Sequence, residues 1–247
     1  MGKWNWQHSD WPNFTWDRQQ IQARLPSVYH KQGYMAGLVN SLNGTQALIT
    51  KALTENIVAS FAIEGERLDA NVVTDEIERW FGQAISPEKA NSVGLLEANA
   101  AALISNVFDK PPEDLTPHRL GAWQRCMFER TYSPAQIGQT ATWRTADIKV
   151  ASGGSGDRRI HFEAPSPSRV AIEMETFLNW FASSREAKEI DPISRAALAH
   201  LWFATVHPFE DGNGRTARAV ADLAMFQTDE NAVLYPMAPY ILADREN

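Results

Sequence analysis

A chain of 247 residues can bury a sizeable core in one large domain or two small ones. Its formal net charge of -7 argues against a nucleic-acid partner, because the surface as a whole does not attract polyanions. The single cysteine, Cys126, excludes an internal disulfide. With no signal peptide and no long apolar span, the chain is expected in a reducing cytoplasm, off the membrane.

Taken in order, residues 1–16 carry Trp4, Trp6, Trp11, Phe14 and Trp16 among polar neighbours. The alternation of Trp4 and Trp6 suits a short strand or extended arm. Aromatic packing that pins this arm onto a helical body is the preferred reading. A homodimer or target contact is the sharper alternative, since exposed aromatics suit interfaces. Asp17 to Ala59 reads as helical, punctuated by Pro26, Gly33 and Gly44. From Ser41 to Ala62, Leu42, Leu48, Ile49, Leu53, Ile57 and Phe61 give an amphipathic pattern. That helix ends in Ser60-Phe-Ala-Ile-Glu64-Gly65. Gly65 is a natural stop, and Ser60 and Glu64, four apart, share a face. A glutamate in a last turn opposes the helix dipole by about 0.3–1 kcal/mol, which a nearby arginine would compensate.

Leu68 to Ala102 reads as two helices joined around Gly82 to Pro87. The Pro-rich, polar stretch from Phe108 to Asp114 is a candidate boundary. It divides a Trp-rich helical region, 1–110, from a core, 111–247. Thr116-Pro117 resembles a cap followed by proline at the first helical position of a helix reaching Arg130. Ala141 to Pro165 is the expected β-element. Ile148 and Val150 alternate, as do Ile160 and Phe162, about the flexible stretch Ala151 to Asp157. The free edge of such a hairpin can pair with an extended peptide. Ser168 to Phe181 and Pro192 to Val206 read as helices, and Leu234 to Leu242 as a short helix or turn. His200 lies seven residues before His207. A hydrogen-bonded core histidine is favoured there over a metal pair.

The densest chemistry is His207-Pro-Phe-Glu-Asp-Gly-Asn-Gly-Arg-Thr-Ala-Arg218, on a loop that opens a helix expected to run from Ala217 to Met225. Gly212 and Gly214 permit backbone conformations in which consecutive N–H groups face one anion. The helix start adds unsatisfied donors and a positive dipole end. Asn213 can cap that helix or hold the anion through its amide. Arg215 and Arg218, three apart, share a face and suit a polyphosphate. Asp211 is a hard oxygen ligand fit for Mg²⁺. His207 titrates near neutrality and can take a proton from an attacking hydroxyl.

This string resembles the His-Pro-Phe-x-[Asp/Glu]-Gly-Asn-Gly-Arg-x-x-Arg signature of Fic domains at every fixed position. The resemblance implies an all-helical fold that transfers a nucleoside monophosphate, usually AMP from ATP, to a protein hydroxyl. It assigns the base role to His207 and Mg²⁺ to Asp211. It gives the phosphates to Gly212, Asn213 and Gly214, and the triphosphate charge to Arg215 and Arg218. Gly214, where a phosphate-transferring variant of the family usually has lysine, favours nucleotidyl transfer.

Ser60, Glu64 and Gly65 are similarly placed to the [Ser/Thr]-x-x-x-Glu-[Gly/Asn] inhibitory motif of Fic proteins that carry their inhibitor N-terminal to the core. By that resemblance Glu64 pairs with Arg218 and occupies the guanidinium a γ-phosphate needs. The Arg144-to-Val150 spacing and Ile160-His-Phe-Glu-Ala-Pro are similar to the family's flap. Ile148, Lys149, Val150, Ile160, His161 and Phe162 are thus target-positioning candidates, with His161 off one face and outside the catalysis. A Trp-rich segment precedes many bacterial Fic domains, which implies a small accessory region here.

The expected protein is mainly α-helical with one small β-hairpin flap. It is an autoinhibited adenylyltransferase acting on a target protein, itself included among the candidates. The same site running backwards, to strip AMP from a modified target, is an alternative. So is a nucleotide sensor without turnover. Similar proteins often continue into further helices and a winged-helix domain, so a short form or a C-terminal truncation is expected.

Overall fold

The computed structural model describes residues 4–41, 45–82, 94–109, 112–128, 142–152, 159–187 and 189–245. Most of the expected Gly82–Pro87 joint and of the Ala151–Asp157 turn lies outside them. The protein is mainly α-helical, with one two-stranded antiparallel sheet. No described helix is long and apolar enough to cross a membrane. The chain forms two compact units, and the division does not follow the expected cut at 110. One unit draws on residues 1–14, 114–125 and 133–224; the other on 15–113, 126–132 and 225–247. The aromatic arm thus belongs with the motif-bearing unit, and the C-terminal segment with the N-terminal helices.

The second unit holds α1 (Arg18–Ser41), α2 (Thr45–Ile63), α3 (Ala70–Trp80), α4 (Leu95–Val107) and, near its end, α9 (Ala238–Arg245). The expected breaks at Pro26 and Gly33 do not appear: α1 runs through both. Leu53, Ile57 and Phe61 of α2, Val73 and Ile77 of α3, and Leu103, Ile104 and Val107 of α4 are buried together as its core. Asp69 starts α3 by accepting the backbone N–H groups of Asn71 and Val72, which satisfies two orphan donors. α9 falls largely within the Leu234–Leu242 stretch expected to hold a short helix or turn, and a 3-10 turn at Glu230–Leu234 precedes it.

The first unit contains α5 (Pro117–Phe128) and α8 (Asn213–Phe226), apart from their last residues. It also contains β1 (Lys149–Ser152), β2 (Arg159–Glu163), α6 (Pro167–Ser183) and α7 (Pro192–Val206). Phe177 of α6 is fully buried and meets Trp180, Phe181, Trp202 and Phe203, with ring centroids 6.2, 5.9, 5.7 and 5.9 Å away. The aromatic arm completes this cluster through Trp11 and Phe14, 6.0 and 5.4 Å from Trp202. Trp11 donates its indole N–H to Glu173 at 2.9 Å. The arm is therefore pinned to the helical body by aromatic packing. Its first part corrects one expectation: Asn5–Gln7 is a 3-10 turn, not a strand, because the N–H of Gln7 bonds back to the Trp4 carbonyl at 3.0 Å.

Arg195 locks the same unit from within. Its guanidinium donates to the carbonyls of Phe181 and Ala224 and to the Ser184 hydroxyl at 2.8, 2.9 and 3.0 Å. Burial, helped by the Arg185 charge, pushes its pKa down to about 10, so it stays cationic at neutral pH. Truncating Phe177 to alanine should destabilise the protein by about 3–5 kcal/mol through lost burial and a residual cavity, read as a lowered urea midpoint with unchanged slope.

Candidate functional site

Helix α7 delivers His207, and the chain changes direction there. The helix starts at Pro192 behind the Asp191 cap, which accepts the Ser194 N–H at 2.9 Å. It ends because Pro208 cannot continue it and disfavours helical geometry in the residue before it. His207 takes a left-handed backbone (φ 52, ψ 59), the one positive φ of a non-glycine among the described residues. Such a conformation costs on the order of 1–2 kcal/mol and needs support from its surroundings. The support is visible. The His207 N–H bonds the Phe203 carbonyl at 3.0 Å, and the His207 carbonyl accepts Nε of Arg144 at 2.7 Å. The imidazole is half-buried, with Nδ1 3.1 Å from the Ala204 carbonyl. A carbonyl only accepts, so Nδ1 carries the proton and Nε2 carries the lone pair.

The loop after His207 is held from inside. Asn213 is buried, and its amide spans the loop: Oδ1 accepts the Phe209 N–H at 2.9 Å and Nδ2 donates to the Phe209 carbonyl at 2.8 Å. Of the two roles expected for this amide, neither is what the geometry displays; it staples the loop shut. Gly212 has φ 76, which its lack of a Cβ permits. Its carbonyl accepts both the N–H and the hydroxyl of Thr216 at 2.9 Å each. Helix α8 starts at Asn213, earlier than the expected Ala217, so the whole Asn-Gly-Arg segment forms its first turn. The first N–H groups of a helix have no partner within it and sit at the positive dipole end. Gly214 needs no special φ as the second residue of that helix, and its N–H is one of those first-turn donors.

Arg215 and Arg218 are buried on α8, at 3% and 7% exposure, and so cannot serve as ordinary solvated surface charges. Asp211 is exposed, and its Oδ1 accepts the Gly212 N–H at 2.6 Å. An open carboxylate is the kind of ligand Mg²⁺ takes, one or two from the protein with the rest of its shell from substrate and water. No cluster of three or more acidic, histidine or cysteine ligands occurs among the described residues.

While His207 has left the helix, His200 lies part-buried on α7. Burial lowers its pKa, and the nearby Arg218 charge lowers it further, against a partly offsetting hydrogen bond to the Ala217 backbone.

The hairpin forms as expected, at Lys149–Ser152 and Arg159–Glu163, paired Lys149 with Glu163, Val150 with Phe162, Ala151 with Ile160 and Ser152 with Arg159. His161 is the extra residue of a β-bulge, and its Nε2 lies 2.6 Å from the Ser152 hydroxyl. Ile148 continues the ladder by accepting the Ala164 N–H at 3.1 Å. Val150 and Ile160 expose 43% and 38% of their surface, high for apolar residues. The arm supports the base of this hairpin. Trp4 packs edge-on against Phe162 at 5.5 Å, and the Trp6 indole donates to the Glu163 carbonyl at 2.7 Å.

Arg144 was visible in the sequence as a spacing and not as an anchor. It is 3% exposed, and its side chain reaches the carbonyls of Ala146, Pro165, Val206 and His207. An arginine bonded to backbone carbonyls of distant segments leaves no local pattern.

Ser60, Glu64 and Gly65 close α2 in the other unit. The N–H groups of Gly65 and Glu66 return to the carbonyls of Ala62 and Phe61 at 2.9 and 3.1 Å, with Gly65 at φ 84. This is a Schellman end, which places Glu64 at the C-cap. Ser60 is buried and the Glu64 side chain is exposed.

The depressed His200 pKa has a thermodynamic consequence. Below about pH 6.5 the unfolded chain takes up a proton that the native site resists, so stability falls as pH drops below that value. His200→Gln should show a shallower loss between pH 7 and pH 5.5 in urea titrations.

Comparison with known proteins bears on these features. Residues 114–225 match the Fic/DOC family model, and residues 4–83 match a domain of unknown function, DUF4172. The chain is 40% identical over 76 residues to protein adenylyltransferase fic-1 of Caenorhabditis elegans, and 36% over 72 residues to protein adenylyltransferase Fic of Drosophila mojavensis. These stretches cover 31% and 29% of this chain but only 15% and 14% of the relatives. A Fic family protein from Desulfovibrio desulfuricans superimposes with a TM-score of 0.65 at 22% identity, over 95% of this chain and 66% of that one. A Fic domain containing signaling protein from Bacteroides thetaiotaomicron gives 0.58 at 16%, over 89% and 92%. At such identities the likeness establishes the fold. The Fic/DOC family model spans the hairpin, α7, the loop after His207 and most of α8, at residues 114–225.

Proposed function

We propose that this protein is an adenylyltransferase that moves AMP from ATP to a Ser, Thr or Tyr hydroxyl of a target protein, and that Glu64 restrains it. The observation that carries the reading is the arrangement from 207 to 218. An imidazole with its lone pair on Nε2 stands at one end of a stapled loop, and a helix start with two buried guanidinium groups stands at the other. Nucleotidyl transfer needs both parts. The names of the matched relatives support the reaction class, although the matched stretch is a small share of each.

In the proposed reaction Gly212, Asn213 and Gly214 present the loop and the first turn of α8 to the phosphates. Arg215 and Arg218 neutralise the triphosphate. Asp211 would hold Mg²⁺, which supplies further charge neutralisation when bound. The flap residues Ile148 to Val150 and Ile160 to Phe162 seat an extended target segment. His207 removes the hydroxyl proton as the target oxygen bonds the α-phosphorus, and the bond from that phosphorus to the bridging oxygen breaks to release pyrophosphate. Positioning and charge stabilisation supply most of the acceleration.

The restraint rests on the Ser60-to-Gly65 motif and on the exposed carboxylate that the Schellman end presents. A carboxylate at a helix C-terminus is disfavoured by the dipole and gains from a cationic partner. Held by Glu64, Arg218 would be lost to the γ-phosphate.

Labelled ATP in a cell lysate tests both parts. Glu64→Gly should raise labelling about tenfold or more, as expected for releasing a charge-assisted bond of about 1.5–3 kcal/mol. Unchanged labelling would remove the restraint. His207→Ala should cut transfer by about 10²–10⁴ while ATP affinity measured by calorimetry stays within about twofold. Retained transfer would remove the base assignment. Nucleotide binding with no turnover in any variant would indicate a sensor instead.

A further inference from the structure

We propose that Arg144 is a positioning residue that ties the flap to His207, so that the target segment and the proton acceptor are set by one side chain. The proposal rests on the transfer reaction above. Its basis is the identity of the carbonyls this guanidinium holds. Ala146, at 2.9 Å, precedes β1 on the leading leg of the hairpin. Pro165, at 2.5 Å, follows β2 on the trailing leg. The His207 carbonyl, at 2.7 Å, and the Val206 carbonyl, at 3.4 Å, close the end of α7. The backbone N–H of Arg144 adds a bond to the Pro208 carbonyl at 2.9 Å. Both legs of the flap and both sides of the histidine therefore meet in a single buried group.

The chemistry of the side chain fits the task. A guanidinium offers five N–H donors in a rigid plane, while an ammonium offers three around a point. Lysine could satisfy one leg or the histidine carbonyl but would not span all of them. The left-handed backbone at His207 gives the bond a specific job. Without Nε of Arg144, a strained residue loses the contact that fixes its carbonyl, and the imidazole follows the backbone. General fold support is a poorer account, because Arg195 already clamps α6, α7 and α8 from the other end of α7. The anchors of Arg144 are confined to the flap legs and the histidine. The loop that would cradle phosphate is stapled separately, by Asn213.

That separation makes the proposal testable by a split in kinetic constants. Arg144→Met and Arg144→Lys would be made in the Glu64→Gly background, with Phe177→Ala as a variant destabilised elsewhere. Lysate protein at graded dilution serves as acceptor. Arg144→Met should raise the apparent KM for acceptor about tenfold and lower kcat about tenfold or more, with the KM for ATP within about twofold. Arg144→Lys should fall between it and the parent. Hydrogen exchange should rise together at 146–152, 159–165 and 207–209, and stay near the parent's level in α6. An equal change in both KM values, a profile matching that of Phe177→Ala, or a rise on one side alone would overturn the proposal. If the parent and Glu64→Gly are both inert with ATP, the transfer reaction itself falls. The exchange pattern then decides whether Arg144 couples the two segments.

Discussion

One buried cation governs the geometry of the motif-bearing unit. The charge of Arg144 is dispersed over backbone carbonyls and, among the described residues, not paired with an acid. Burial lowers its pKa, and Asp147 partly counters that fall. Carbonyls at a helix C-terminus carry partial negative charge and lack intrahelical donors, so the end of α7 is a natural receptor for a guanidinium. The arrangement turns an unsatisfied helix end into a joint between three segments far apart in sequence. Arg195 repeats the device at Phe181 and Ala224, where α6 and α8 finish. Three helix ends thus receive the same chemical solution from two arginines, and in both cases the cation is enclosed and not paired across the surface.

The reactive loop shows a related division of labour. Side chains that look suited to ligands by type are partly spent on the protein. The Asn213 amide is committed to Phe209, and the Thr216 hydroxyl serves Gly212 while accepting from the Gln124 amide at 3.1 Å. In the proposed transfer the groups that would meet the ligand are backbone, guanidinium and imidazole. A cradle of fixed N–H dipoles requires little reorganisation when charge develops, and this suits phosphoryl chemistry more than mobile side chains would.

Much of this was legible in the sequence because it is local. Gly65 announced the end of α2, Pro192 the start of α7, and the alternation at Ile148/Val150 and Ile160/Phe162 the hairpin. The string from His207 to Arg218 carried its spacing with it. What was not legible depends on distant contacts. Pro26 sits inside α1 although proline costs a helix a hydrogen bond, so the composition of that stretch pointed to a break. Trp4 and Trp6 alternate as strand residues would, yet a single 3-10 turn bonded by Gln7 wins. The anchoring role of Arg144 depends on four carbonyls, three of them distant in the chain, and the contact of the Asn213 amide with Phe209 depends on the fold of the loop. The α8 boundary was placed late because Gly214 is a poor helix former in isolation.

The extra residue at His161 gives the hairpin a handedness of its own. Along β1 the pleat is regular; along β2 three consecutive residues, Ile160 to Phe162, stand opposite two. An irregular edge discourages strand addition, as bulges do in sheets that avoid aggregation. In the proposed transfer, a target segment added to this hairpin would meet a regular border along β1 and an interrupted one along β2.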